Sequence, residues 1–101
     1  MLYMVIERFR GGTPDAVGER FRRLGRLMPD GLGLSYISSW IASDGTHCYQ
    51  IMEAPDRAAL DPWIANWSDL VDFDVTPIAV SADYWAERNR PPSPPAASKA
   101  D

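Results

Sequence analysis

The sequence predicts an α+β fold in which one four-stranded antiparallel sheet carries two helices on one face. Three observations lead there. Four short runs, at residues 2–9, 34–43, 47–54 and 71–77, show strand-like apolar patterning. Two intervening stretches carry apolar residues at helical spacing instead. An Asp44-Gly45 turn joins the second run to the third as a hairpin. The order is therefore strand, helix, strand, strand, helix, strand, and right-handed crossovers close it into a ferredoxin-like βαββαβ unit.

In the first strand Leu2, Met4 and Ile6 alternate with Tyr3, Val5 and Glu7. Both sets are largely apolar, so cover is expected on both faces. Gly11-Gly12 ends the strand. Thr13-Pro14 reads as a helix cap followed by proline at the first helical position, and Asp15 suits the positive helix start. Val17, Phe21, Leu24 and Met28 then form one helical face, with Arg20, Arg22, Arg23 and Arg26 on the solvated side. Pro29-Asp30-Gly31 is the expected stop.

The second strand, Leu34 to Ser43, leads through the Asp-Gly turn into the third, His47 to Ala54. The core of that third strand, Tyr49 to Glu53, sets an amide and a carboxylate into an apolar run near the middle of the folded part. Asp56 opens the second helical stretch. Pro62 removes a helical hydrogen bond, which predicts a loose first turn and regular helix from about residue 62. Leu60, Trp63, Ile64 and Trp67 are its inward face, and both tryptophans are expected in the core. Val71, Phe73 and Val75 alternate with Asp72 and Asp74 in a fourth strand whose charges mark an edge. Ser81 is the expected cap of a short last helix. Residues 91–101 hold four of the nine prolines and are expected to be a disordered Pro/Ala-rich tail after a single domain spanning residues 1–90.

The chain has 101 residues, enough for one modest core, and is 46% hydrophobic, which excludes a disordered composition. Net charge is -4, against nucleic acid as a partner. Residues 1–30 carry six Arg against four acids, whereas residues 31–90 carry nine acids against three Arg. With Cys48 as its only cysteine the chain forms no internal disulfide. The opening residues lack a signal-peptide layout, and no apolar run reaches the ~20 residues of a membrane span. A cytoplasmic location is expected, with no membrane partner.

Parity assigns Leu2, Met4, Ile6, Ile37, Ile41, Tyr49, Ile51, Phe73 and Val75 to the helix-covered face, taken as the more uniformly apolar one. The open face then collects Tyr3, Val5, Glu7, Tyr36, Ser38, Trp40, Cys48, Gln50, Met52 and Asp72 or Asp74. Aromatic walls with a few polar heads resemble the lining of a small-molecule pocket.

Several stretches together resemble a family catalogued as DUF3303, a domain of unknown function. They are Leu2 to Phe9, Gly25-Arg26-Leu27 with Pro29 to Leu32, Ser39-Trp40, Cys48 to Glu53, and Trp63 through Trp67 to Phe73, so that the resemblance covers roughly residues 1–83. It implies a dimeric α+β barrel of ferredoxin-like subunits and no established activity, so no catalytic residue carries over. The wider fold group includes cofactor-independent monooxygenases, stress-responsive proteins and metal binders, a link of fold alone.

The expected function is binding of a small, partly aromatic molecule in a pocket on the open sheet face of a homodimer, through Tyr3, Glu7, Tyr36, Trp40 and Gln50. Trp40, Tyr36 and Tyr3 are suited equally to stacking on a ligand and to the dimer core. One alternative is a cofactor-independent monooxygenase or isomerase with Glu7 as catalytic base. Another is a stress-related structural dimer without ligand, with Glu7 and Gln50 a buried pair that fixes register. No metal or other cofactor is expected. His47 and Cys48 point to opposite faces, and one His with one Cys falls short of a transition-metal set.

Overall fold

A computed structural model describes residues 1–90, and the expected tail at 91–101 lies outside the described residues. The strands are β1 (Leu2–Phe9), β2 (Ser35–Ile41), β3 (His47–Glu53) and β4 (Val71–Ile78). Helix α1 (Asp15–Leu24) joins β1 to β2, α2 (Asp61–Ala65) joins β3 to β4, and α3 (Ser81–Arg88) follows β4. The sheet order is β2-β3-β1-β4, with every described pairing antiparallel. This is the ferredoxin-like arrangement, with β2 and β4 at the edges.

Local chemistry explains most boundaries. The Asp44 carboxylate accepts from the Thr46 amide (3.0 Å) and hydroxyl (2.7 Å), closing the β2–β3 turn. Thr13 Oγ1 accepts from the Asp15 amide at 3.0 Å in a local turn, but the N-cap position of α1 falls on Pro14, one residue later than expected, and carries no side-chain cap. Asp56 accepts from the Ala59 amide at 2.9 Å and starts a 3-10 turn over Arg57–Leu60, which leads into α2 with Pro62 in its first turn.

Helix α1 is shorter than expected. It ends at Leu24 because Gly25 takes φ 75 and ψ -157, a region open essentially only to glycine. Leu27 then sits at φ 57, a left-handed conformation that costs about 1 to 2 kcal/mol for a residue with a side chain. Leu24 is consequently exposed, and no residue of α1 is buried.

The expected faces are also corrected. Residues opposite each other in antiparallel pairs share a face. Tyr3 lies opposite Met52, Val5 opposite Gln50, and Glu7 opposite both Cys48 and Phe73. All of these face the helices, and Tyr3, Val5, Phe9, Met52 and Val71 pack with Leu60, Trp63 and Trp67 into the core. The uniformly apolar set (Leu2, Met4, Ile6, Tyr49 and Ile51) is on the open face instead. Phe73, Val75 and Ile41 do lie on the helix side as expected. On β2 a bulge between Tyr36 and Ser38 adds one residue. It sends Tyr36 to the covered face and leaves Ser38 and Trp40 on the open one.

Two glycine substitutions separate backbone strain from helix propensity. Gly25→Ala forces a Cβ into a disfavoured conformation and should cost about 1 to 3 kcal/mol. Gly18 is mid-helix with ordinary φ and open space where a methyl group would sit, so Gly18→Ala should stabilise by about 0.5 to 1 kcal/mol. Urea unfolding of the two variants beside the parent chain checks both signs.

Candidate functional site

The covered face is not packed evenly. Over the β1–β4 half, Leu60, Trp63 and Trp67 press directly on the sheet and are almost wholly buried. Over the β3–β2 half, α1 stands off the sheet and leaves a cleft of about 260 Å³. Glu7, Ser39, Cys48 and Gln50 are its polar floor, and Phe9, Val17, Phe21 and Ile41 its apolar walls. A recess of about 50 Å³ shares Glu7, Val17, Phe21, Arg26 and Gln50 with it and is backed by Trp63 and Trp67.

Helix α1 is held at its height by polar ties. The indole N–H groups of Trp63 (3.2 Å) and Trp67 (2.9 Å) both donate to the carbonyl of Arg26, just past the helix end. Asn66 Nδ2 donates to the next carbonyl, Leu27 O, at 2.9 Å. On the outer side Arg20 binds both Asp69 carboxylate oxygens (2.8 and 2.6 Å) and the Asn66 carbonyl (3.0 Å). Those bonds hold the Asp69 carboxyl below its ordinary range. The guanidinium of Arg26 lies 3.6 Å from the centre of the Tyr36 ring and 5.2 Å from that of Phe21. It makes no hydrogen bond or ion pair with another described residue.

Glu7 is 8% exposed and Gln50 4%. Among the described residues nothing donates a hydrogen bond to the Glu7 carboxylate. Gln50 Nε2 finds only the thioether of Met52, at 3.1 Å, a weak acceptor. No fully enclosed side-chain N or O atom among the described residues lacks a partner, so the unpartnered carboxylate oxygens open onto the cleft. Burial pushes Glu7 up from an ordinary 4.5 to about 7, against the pull of the Arg26 charge. Burial first, and the nearby Glu7 second, push the Cys48 thiol up to about 11. It is therefore a neutral packing group and not a ready nucleophile.

The expected site residues divide. Glu7 and Gln50 are brought together, on the helix side of the sheet and not on the open face. Tyr36 is on the covered face but lines neither the cleft nor its recess; its ring centre lies 3.6 Å from the Arg26 guanidinium and its hydroxyl 2.8 Å from Ser39 Oγ. Tyr3 is buried at the far end of β1, where its hydroxyl donates to Met1 Sδ at 3.4 Å, and takes no part. Trp40 is on the opposite face, 58% exposed. The expected pocket on the open face is corrected accordingly. The polar set belongs to the covered face because α1 leaves a space there that polar groups can line. Arg26 is the main residue that sequence patterning missed. Helical phasing through Met28 puts it on the solvated side, whereas the break at Gly25 turns it inward. Among the described residues no group of three or more His, Cys, Asp or Glu is placed to hold a metal. No helix among them is long and apolar enough to cross a membrane.

Fold and site define a ferredoxin-like α+β protein with a half-polar cleft between its first helix and its sheet. The chain belongs to the DUF3303 family, a domain of unknown function whose family model matches residues 1–87. Neither the curated proteins nor the solved structures contain a match to it.

The Glu7 shift has a signed consequence for stability. A carboxyl whose folded pKa is raised stabilises the fold below its unfolded value, and that contribution is lost as pH rises through about 7. At about 1.4 kcal/mol per pKa unit, the full effect is on the order of 3 kcal/mol. Glu7→Gln should therefore gain stability relative to the parent chain between pH 5 and pH 8, and urea midpoints at the two values measure it.

Proposed function

We propose that this protein binds a small, partly aromatic molecule in the cleft between α1 and the sheet. The observation that carries this reading is the buried Glu7 carboxylate, unpartnered among the described residues and open to the cleft beside Gln50. Partial burial already disfavours the charged form of this group, and a ligand that donates to it offsets that cost. The size of the cleft supports the same reading. A dry cavity of about 150 Å³ already holds benzene, so this one suits one substituted ring or two fused ones. Indole is a suitable probe. In ¹H–¹⁵N spectra it should perturb Val17, Gly18, Phe21, Ser39 and Gln50, and Gly18→Leu, which fills the space below α1, should abolish the effect. Unperturbed cleft residues at millimolar indole would contradict the proposal.

A second reading, catalysis without a cofactor, is favoured by one observation. A carboxylate near pKa 7 is well matched to general-base work at neutral pH. Glu7 is then the base of an oxygenase or isomerase, with Gln50 orienting the substrate and Tyr36 acting through the Arg26 that it supports. That reading requires Glu7→Gln to abolish turnover while binding persists. A structural, stress-related dimer without ligand leaves the unmet carboxylate unexplained.

The partner in this proposal is a second copy of the chain, seated on the open sheet face. Ile37, Trp40 and Tyr49 are 51%, 58% and 38% exposed there, beside half-buried Leu2, Met4, Ile6 and Ile51. Face-to-face packing of two sheets about 10 Å apart is an ordinary way to cover such a surface. The lone cysteine and absence of any possible internal disulfide support a reducing, cytoplasmic setting. Light scattering should give twice the 11.3 kDa chain mass, and Ile51→Arg should halve it. A parent chain that runs as a monomer at micromolar concentration would contradict the dimer.

A further inference from the structure

We propose that the ligand of this cleft is a neutral, hydroxylated aryl ketone, with the hydroxyl donating to Glu7 and the carbonyl accepting from Arg26. This rests on the proposed binding role of the cleft and names its chemical class.

The cleft has two unmet poles. Glu7 is an acceptor buried among apolar side chains, with no donor among the described residues. Arg26 is the opposite. Its guanidinium carries five N–H donors, yet its near neighbours are the rings of Tyr36 and Phe21, and it has no hydrogen-bond or ion-pair partner among the described residues. The two lines of sight meet in one space, because both residues line the cleft and its recess. Gln50 stands with them, its amide nitrogen on a thioether and its carbonyl oxygen without a donor among the described residues.

Charge narrows the class. Above pH 7, where Glu7 is mostly ionised, a carboxylate ligand would suit Arg26 but bring a second anion beside Glu7, and an amine would suit Glu7 but face Arg26. A hydrocarbon would leave both poles desolvated and unmet. A neutral molecule with one donor and one acceptor satisfies both. The apolar walls Phe9, Val17, Phe21 and Ile41 then suit a flat ring as the body that carries the two groups. The same geometry serves the catalytic reading, since Arg26 would face the oxygen that gains charge when Glu7 takes the hydroxyl proton.

The test compares 2- and 4-hydroxyacetophenone with acetophenone, phenol and benzoate by NMR titration of the full chain at pH 7.5, where most of Glu7 is ionised, with indole as reference. At least one hydroxyacetophenone should bind about tenfold more tightly than either acetophenone or phenol, and benzoate should bind most weakly. Glu7→Leu should bring the hydroxy ketone down to acetophenone, and Arg26→Met should bring it down to phenol. Arg26→Met keeps the backbone carbonyl that Trp63 and Trp67 need, and thermal unfolding confirms that both variants fold. Equal affinities across the series, tightest binding of benzoate, or indifference to both substitutions would overturn the class while indole binding keeps the cleft. If indole also leaves the cleft unperturbed, the binding role itself falls.

Discussion

Two indole N–H groups converge on the Arg26 carbonyl, and the geometry of the covered face depends on that point. Trp63 and Trp67 are buried by the sheet, so their nitrogen atoms are fixed in space and need an acceptor. The segment that meets them is the chain leaving α1. Once it is fixed there, the height of α1 above β1 and β3 is set largely by the two tryptophans, with Val17 the partly buried residue of the helix that packs against the core. With no buried residue of its own, α1 is a roof set on props. The cleft is the space beneath it, and the same hydrogen bonds deliver the Arg26 side chain to its rim.

Several locally unfavourable choices gather around this space. Glu7 is buried without a partner among the described residues, Gly18 interrupts a ten-residue helix, and Leu27 holds a left-handed backbone. Each costs between a few tenths of a kcal/mol and a few. Sequences usually agree with their folds at every level, and departures concentrate where function is served. The three departures here lie in or next to one cleft, while the β1–β4 half, which holds Val5, Leu60, Trp63 and Val71, is packed conventionally.

The fold was legible because its signals are local. Asp44-Gly45, Asp56 and the charges of β4 each act within a few residues and did what their chemistry predicts, and Thr13-Pro14 marked the start of α1 to within one residue. The site was half legible. Glu7 and Gln50 stood out as polar residues in apolar strands, which required a common partner space. Their face did not follow, because β1 is apolar on both sides and uniformity was the wrong criterion. The uniformly apolar face is the open one, and the mixed face lines a cavity. Tyr36 and Trp40 share parity in sequence and are separated by one bulged residue. Arg26 was hidden because its direction is set by tryptophans about forty residues later, which no local period encodes.

The central claim is that Glu7 is a buried, unpartnered carboxylate opening onto a cleft. Titration of its side-chain ¹³Cδ resonance by NMR measures that directly. The account predicts a midpoint near pH 7, moved by indole and unaffected by a mutation such as Trp40→Ala on the opposite face. A midpoint at the ordinary 4.5, indifferent to indole, would mean that the carboxylate is solvated and that the cleft does not exist as described.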